Sequence, residues 1–201
     1  MTTEPTVFIV DDDPAVREST ELLLQSRGIG TRGFPEAQTF LDAYRPNLRG
    51  CVLVDVRMPG LSGLDLQARL AGAGSTLPVI VVTGHGDVPM AVRAIKAGAL
   101  DFLQKPFDAR ALEALVRQAL DLDDQRRREQ QRIETERARV ALLTERERQV
   151  LARISQGHYN RVIADELGIS ISTVEAHRRN VMDKLRAHTM YELVRIVDTY
   201  L

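Results

Sequence analysis

Short apolar runs alternate with amphipathic stretches through the first half of this chain, and this alternation limits the possible folds most strongly. The runs are continuous and rich in β-branched residues, which is typical of strands buried on both faces of a parallel sheet. Helical patterns lie between them, so we predict a doubly wound α/β domain with a parallel sheet. The runs cover residues 6–10, 51–54, 78–82 and 101–103, with a weaker fifth near 29–33.

The second half of the chain, residues 142–200, has helical patterns throughout. Thr144 and Glu147 match a capping box that begins a helix, and Gly157 marks its end. The run 163–170 has a small residue where two helices approach and a glycine at the turn, as a helix-turn-helix requires. We therefore predict an all-α domain. Its other helical patterns cover residues 161–167, 170–185 and 190–200.

Between these halves, residues 121–139 contain almost no apolar residue and neither proline nor glycine. Acids precede bases by four positions in two pairs, Asp123/Arg127 and Asp124/Arg128, and this spacing supports a helix. We interpret the segment as a solvated helix that bridges two domains. A short coiled coil with a partner is the alternative, although three apolar residues do not make a heptad seam. The predicted divisions are a first domain over 1–120, a helical linker over 121–141 and a helix-turn-helix domain over 142–201.

Composition adds a few limits. The 201 residues are enough for two small domains. No apolar run approaches the roughly 20 residues of a membrane span, and the N-terminus lacks the parts of a signal peptide, so we expect a cytoplasmic protein without membrane contact. Cys51 lies in a strand-like run and is expected to be a buried core thiol. The net charge is −1, so DNA binding must be argued from motifs rather than from total charge.

Polar side chains follow the predicted strands where those strands end. Asp11 and Asp12 follow the first predicted strand, and Asp55 follows the run at 51–54. Thr83 follows the run at 78–82, and Lys105 comes soon after the run at 101–103. Because the carboxyl ends of parallel strands meet at one edge of a sheet, these groups should lie together. Clustered carboxylates repel one another, and a divalent cation with oxygen ligands, Mg²⁺ by preference, relieves this. One carboxylate could then attack phosphorus, while the lysine and the hydroxyl stabilise the transferred group.

Residues 6–120 resemble the receiver domain of two-component response regulators. The resemblance lies in Asp11-Asp12, Asp55-x-x-Met58-Pro59-Gly60-x-x-Gly63, Thr83, Ala99-x-Asp101-Phe102 and Lys105-Pro106-Phe107. It implies a parallel five-stranded sheet of flavodoxin-like order. It also implies that Asp55 is the phosphoacceptor, assisted by Thr83 and Lys105. The Mg²⁺ ligands that it implies are the side chains of Asp12 and Asp55 and the carbonyl of Arg57, with support from Asp11; Asp13 is left as a surface residue.

The same resemblance implies a switch formed by Thr83 and Phe102, and a cis peptide bond at Lys105-Pro106. Residues 83–90 are similar to the FixJ branch in particular. Hydrolysis of an acyl phosphate needs a water in line with phosphorus, and Arg57 and His85 each lie two positions after a site residue. We expect both to border that water and to affect the lifetime of the phosphorylated state; a solvated loop residue is the alternative for His85.

Residues 142–195 resemble the DNA-binding domain of LuxR/NarL/FixJ regulators. The matching positions include Leu143-Thr144-x-Arg146-Glu147, Gly157-x-x-Asn160-x-x-Ile163-Ala164, Ser170-x-x-Thr173-Val174-x-x-His177-x-x-Asn180 and Lys184-Leu185. The resemblance assigns base contacts to Glu175, Ala176 and Arg179. It assigns phosphate contacts to Asn160, Arg161, Thr173, His177 and Arg178. Glu175 replaces a lysine that is common there; an acid accepts from a cytosine amino group but also repels phosphate.

Helical spacing divides the remaining apolar residues of this domain. Val174, Val181 and Leu185 fall on one face of the longest helix and are expected in the core. The face formed by Leu193, Ile196, Val197 and Tyr200 has two interpretations, core packing or a dimer contact. A dimer would match paired half-sites on DNA.

Together these observations predict a transcription regulator, most simply an activator, whose binding to double-stranded promoter DNA depends on phosphorylation by a sensor histidine kinase. We expect a homodimer on phosphorylation, formed around residues 91–97 and 112–119, and contact with RNA polymerase. Catalysis is expected only on its own phosphotransfer and dephosphorylation. One alternative is a Mg²⁺-dependent phosphatase, but its usual Asp-x-Asp motif after the first strand is replaced here by Asp11-Asp12-Asp13-Pro14. The other is a protein-interaction module that does not bind DNA.

Overall fold

A computed structural model describes residues 4–84 and 88–200 of the chain. The chain divides into two compact units, which are described separately: the first ends at Arg128 and the second begins at Glu129. None of the helices in the part of the chain that the structure describes is both long and apolar enough to cross a lipid bilayer.

The first unit is built on a five-stranded parallel sheet in the order β2-β1-β3-β4-β5. This is the predicted doubly wound topology, and the weak run near residue 30 is a genuine edge strand. All six residues of β3 are buried, which explains why that run is continuous rather than alternating. The strands are β1 (Thr6–Val10), β2 (Gly30–Phe34), β3 (Gly50–Asp55), β4 (Val79–Thr83) and β5 (Asp101–Gln104).

Helices cover both faces of the sheet and close two separate apolar cores. One core contains Phe8, Phe34 and Phe40, whose rings pack at tilted and edge-on angles. The other packs Leu112 and Val116 against the opposite face. Cys51 is fully buried in this second core, as predicted. Burial, with a smaller contribution from the nearby charge of Asp123, raises the pKa of its thiol to about 12. The helices are α1 (Pro14–Ser26), α2 (Ala37–Ala43), α3 (Gly63–Gly72), α4 (Val88–Lys96) and α5 (Ala109–Ala141).

The segment predicted as a helical linker is helical, but it continues α5 and is not solvated along its whole length. The apolar stripe of α5 ends near Ala119, yet the helix continues without interruption to Ala141. The two predicted acid–base pairs form, but Asp123 is only 2 % exposed, so residues 121–128 are not a fully solvated linker. The sequence pattern did not show this, because an aspartate that is buried and hydrogen-bonded by distant residues cannot be told from a solvated aspartate by residue type alone. The exact domain boundaries stay predictions.

The second unit is helical, as predicted, and its helices begin and end close to the expected positions. Thr144 and Ser170 cap α6 and α8, and the predicted capping box with Glu147 forms. Gly168 ends α7 in the left-handed conformation, at φ 64°. The helices are the last residues of α5, then α6 (Glu145–Ser155), α7 (Asn160–Leu167), α8 (Ile171–Leu185) and α9 (Met190–Tyr200).

The apolar core of this unit confirms the predicted helix faces. Val174, Val181 and Leu185 are at most 1 % exposed. Leu193 and Ile196 pack in the same core, which confirms core packing for those two positions of α9. A dimer contact on that helix stays a prediction, and the side chain of Tyr200 lies outside the described residues.

One buried charge in the second unit was not predicted. Glu147, 3 % exposed, accepts from Lys184 Nζ at 2.7 Å and from the Thr144 backbone N–H at 2.8 Å. Burial alone would raise the pKa of Glu147, but the hydrogen bonds and charge of its partners outweigh it and the pKa is lowered. Lys184 also donates to the carbonyl of Leu142, so it joins α8 both to the first turn of α6 and to the turn that precedes α6.

Candidate functional site

The sheet gathers the strand-end residues at one edge, as its topology requires. Asp11 directly follows β1, Asp55 is the last residue of β3, Thr83 the last of β4, and Lys105 directly follows β5. Strands β1 and β4 flank β3 on either side, so Asp55 lies at the centre of the row.

Three carboxylates and one ammonium group meet at this edge. Asp11, Asp12 and Asp55 each place a ligand oxygen within 4.8 Å of the others, and we call this set the acidic site. Lys105 Nζ donates to Asp11 Oδ2 at 2.6 Å and to Asp55 Oδ2 at 2.5 Å. The structure therefore brings together the residues that sequence reasoning selected from separate strands.

Burial differs within the acidic site and sets its electrostatics. Asp11 is 4 % and Asp55 8 % exposed, whereas Asp12 is exposed to solvent. Burial raises the pKa of Asp11, and the Lys105 ammonium offsets part of this effect. Burial would lower the pKa of Lys105, but hydrogen bonds and charge from Asp11 and Asp55 outweigh it, so its pKa is raised and the ammonium stays protonated.

Backbone contacts hold Asp55 in place. The Arg57 N–H donates to Asp55 Oδ1 at 3.0 Å, while the Arg57 side chain is exposed. Gly63, at the start of α3, packs directly behind Asp55: an added Cβ there would lie 2.3 Å from the Asp55 carbonyl oxygen. A side chain at position 63 would therefore push α3 away from the phosphoacceptor candidate.

Two residues beside the acidic site have roles that sequence reasoning missed. Asp13 is the N-cap of α1, where its side chain accepts from the N–H groups of Ala15 and Val16. The Asp13-Pro14 pair, a capping residue before a proline in the first turn, is the signal that indicates this role. Arg17 donates to the Asp11 carbonyl at 2.6 Å, a contact for which the sequence has no signal.

The remaining predicted residues of this edge have mixed outcomes. Thr83 is 2 % exposed at the end of β4, and Phe102 is 38 % exposed on β5. The Lys105-Pro106 bond is cis, as the resemblance implied. His85 lies outside the described residues.

The donor set fits a hard divalent cation. Three carboxylates opposite one ammonium leave two negative charges unbalanced in the acidic site. Carboxylate oxygens of this number and spacing suit Mg²⁺ rather than a soft metal. The site could therefore bind a metal ion, with Asp11, Asp12 and Asp55 as the available side-chain ligands.

In the second unit, the residues predicted to contact DNA separate into two groups by exposure. Glu175, Ala176 and Arg179 are exposed along α8, and Arg161 is exposed at the first turn of α7. The half-buried group is Asn160, Thr173, His177 and Arg178. Exposure on α8 suits base readout, because the recognition helix of this motif must present its side chains to a groove.

Two of the half-buried residues contact each other. Arg178 Nη1 donates to Asn160 Oδ1 at 2.9 Å, which joins α8 to the first turn of α7. Thr173 is also engaged locally, since its hydroxyl lies 2.7 Å from the capping Ser170 hydroxyl. The Arg178–Asn160 contact holds the two helices of the motif together and the Thr173–Ser170 contact holds the start of α8, in addition to any role on DNA.

Family models match both units. Residues 7–117 match the response regulator receiver domain, and residues 141–197 match the bacterial regulatory proteins of the LuxR family. The chain belongs to the FixJ-like response regulators.

This FixJ-like regulator has close relatives across its whole length. It is 51 % identical to the transcriptional regulatory protein FixJ of Azorhizobium caulinodans, covering 94 % of this chain and 90 % of the relative. It is 44 % identical to FixJ of Bradyrhizobium diazoefficiens, covering 98 % and 96 %. Among solved structures, the response regulator StyR is 44 % identical with a TM-score of 0.91, covering 98 % of this chain and all of that one.

The family settles the general function of this FixJ-like regulator. A receiver joined to a LuxR-type domain makes it a phosphorylation-dependent transcription regulator, for which a kinase and DNA are the implied partners. Its relatives are transcriptional regulators rather than phosphatases. The match of the second unit to a DNA-binding family likewise favours DNA over a purely protein-binding module.

Proposed function

We propose that Asp55 accepts a phosphoryl group from a sensor histidine kinase and that this modification controls promoter binding by the second unit. The observation that supports this most directly is the Lys105 ammonium, which lies 2.5 Å from Asp55 and 2.6 Å from Asp11. A lysine at this position stabilises charge on a phosphoryl group while the phosphoacceptor remains reachable at the sheet edge.

The transfer is a displacement at phosphorus. A carboxylate oxygen of Asp55 attacks, the bond from phosphorus to the donor breaks, and the donor leaves with the bonding electron pair. Lys105 then faces both the remaining charge of Asp11 and the new phosphoryl oxygens. Thr83, the last residue of the neighbouring strand, would donate its hydroxyl hydrogen to one of them.

We assign Mg²⁺ to the acidic site. Asp12 and Asp55 would ligate it by their side chains and Arg57 by its carbonyl, with Asp11 in support. When bound, the ion neutralises charge on the transferred phosphoryl oxygens and so lowers the barrier. Phosphorylation would place about −1.5 to −2 charge where the carboxylate carried −1, and would bias Thr83 and Phe102 toward a second arrangement.

The exposed residues of α8, Glu175, Ala176 and Arg179, are proposed to contact bases. Arg161 on α7 is proposed to contact phosphate, as are the half-buried Asn160, Thr173, His177 and Arg178. Asn160 holds the Arg178 guanidinium, and we propose that Arg178 contacts phosphate from that orientation. If Arg178→Ala binds DNA with an unchanged salt dependence, its phosphate role is wrong.

The partners follow from this mechanism. A phosphorylated homodimer would place two helix-turn-helix motifs on paired half-sites, and RNA polymerase would be recruited beside it. Sedimentation with and without a phosphoryl donor tests the dimer, and a sedimentation coefficient that stays that of a monomer contradicts it. Arg57 and His85 are proposed to set the lifetime of phosphoryl-Asp55, which decay of radiolabelled protein measures in their alanine variants.

The direct test of the function combines phosphorylation and selection of DNA. The protein is incubated with radiolabelled acetyl phosphate with Mg²⁺ or with EDTA, and the modified peptide is mapped. We expect label on the Asp55 peptide only when Mg²⁺ is present, and tighter binding of the labelled protein to fragments selected from random DNA. Label on another residue would overturn the assignment of Asp55.

A further inference from the structure

A buried carboxylate that the proposed mechanism does not use lies at the amino-terminal end of β3, opposite the acidic site. Asp123 on α5 is 2 % exposed and accepts from the Gly50 N–H at 2.9 Å. Arg127 Nε donates to both oxygens of this carboxylate, at 2.9 and 2.8 Å. We call the set formed by Leu48, Arg49, Gly50, Asp123, Asp124 and Arg127 the Asp123 cluster.

The rest of the Asp123 cluster ties the same helical turns to the segment before β3. Arg127 Nη2 donates to the Leu48 carbonyl. Arg49 Nη2 lies 3.2 Å from Asp124 Oδ1. A carboxylate with so little exposure is tolerated only when it is paired and hydrogen-bonded, so each of these partners contributes to a fixed geometry.

Gly50, which donates its N–H to Asp123, is held rigidly. Gly50 has φ 130°, and an added Cβ there would lie 1.8 Å from the Thr6 carbonyl oxygen of the neighbouring strand. The N–H that Asp123 accepts from is thus locked between β1 and α5. Since β3 is buried along its whole length, this end cannot shift independently of the strand.

β3 connects the cluster to the phosphoacceptor. Gly50 is its first residue and Asp55 its last, and a strand of this length places them about 16 Å apart. The Asp123 cluster therefore contacts one end of the strand whose other end changes charge on phosphorylation.

α5 changes character immediately after the cluster. Residues 128–132 are five consecutive exposed positions, so this part of the helix is held by its own hydrogen bonds and by surface ion pairs. A helical segment with few buried contacts is where local opening costs the least free energy. The Asp123 cluster is the last fixed point before it.

We infer that Asp123 and Arg127 are positioning residues for the control of DNA binding. They fix to β3 the part of α5 that precedes residues 128–141, so that phosphorylation changes DNA affinity through this contact. The inference rests on the proposed function. It predicts that loss of the cluster leaves the phosphotransfer chemistry in place and weakens its effect on DNA binding. A role in stability alone would leave that effect unchanged in the folded protein.

The test compares full-length Asp123→Ala, Arg127→Gln and wild type. Each is measured for its rate of phosphorylation by acetyl phosphate and for its affinity, with and without phosphorylation, for a duplex selected by the wild type. In both variants we expect the ratio of the two affinities to fall at least about fivefold, within the usual range of coupling between sites. The phosphorylation rate should change less than twofold.

Gln125→Ala is the matched control, because Gln125 lies on the same turn of α5 as Asp123 but is exposed and does not belong to the Asp123 cluster. Its affinity ratio should equal that of the wild type. A wild-type ratio in the folded Asp123→Ala and Arg127→Gln proteins would overturn the inference. A wild-type protein whose affinity does not respond to phosphorylation would instead overturn the proposed function, and the inference with it.

A measurement on the wild type alone keeps the inference testable if a variant does not fold. Amide hydrogen exchange should be slow over residues 121–127, as in the receiver core, and fast over 129–135. Equally fast exchange in the two segments would show that the Asp123 cluster does not hold the helix, and would contradict the inference.

Discussion

Both units of this regulator bury carboxylate groups against a single lysine, with opposite consequences. In the receiver, Lys105 contacts two of the three carboxylates of the acidic site, and negative charge remains unbalanced. In the helical unit, Lys184 faces Glu147 alone, and the backbone of Thr144 supplies a further donor. Unbalanced negative charge favours the binding of a cation and leaves a carboxylate available to react, whereas a balanced ion pair only holds helices together.

Loss of phosphorylation is the largest effect that this comparison predicts. Asp55→Asn should reduce labelling by acetyl phosphate at least about 100-fold, because an amide is not a nucleophile toward phosphorus. Asp42→Asn, an exposed position on α2, is the control and should label like the wild type. Strong labelling of Asp55→Asn would show that Asp55 is not the phosphoacceptor and that its contacts with Lys105, like the Glu147–Lys184 pair, serve only the fold.

The balanced pair should matter for folding instead. Glu147→Gln leaves Lys184 half-buried without its counter-charge, so we expect the second unit to lose about 3 kcal/mol of unfolding free energy. Hydrogen exchange of the α8 amides measures this loss locally. Glu166→Gln removes an ion pair with Arg153 that is more exposed and should cost less than about 1 kcal/mol. Weaker DNA binding with unchanged exchange would contradict a purely structural role for Glu147.

Acid should remove the same stabilisation from the wild type. Because the pKa of Glu147 is lowered on folding, its charged form stabilises the folded state fully above the ordinary glutamate value, near 4.3, and progressively less as the pH falls toward the folded value. The difference in α8 exchange between wild type and Glu147→Gln, corrected for intrinsic rates, should therefore shrink between about pH 5 and pH 3. A constant difference across this range would contradict the lowered pKa.

The smallest expected effect concerns the exposed surface of the second unit. Arg161→Ala should lower the slope of log affinity against log salt by roughly 0.9, the contribution of one phosphate contact. Arg137→Ala, an exposed arginine on α5, serves as the control and should leave the slope unchanged. An unchanged slope for Arg161→Ala would show that this arginine does not contact the DNA backbone.

Local patterns were sufficient for much of this molecule. The strand-end positions of Asp11, Asp55, Thr83 and Lys105 follow from buried runs of β-branched residues, since parallel strands always present their carboxyl ends at one edge. Caps are equally local: the Thr144-x-x-Glu147 spacing predicted the start of α6 correctly. The roles at DNA came from a resemblance rather than from spacing, and they stay proposals.

Only the tertiary structure distinguished charged residues that look alike in the sequence. Asp123 and Asp124 are neighbours in a charged helix, yet one is buried against Gly50 and the other pairs at the surface. Glu147 was predicted as a cap, and its pairing with Lys184 was not foreseen. The reason is physical: periodicity reports which face of an element is apolar, while the partners that make a buried charge tolerable come from distant parts of the chain.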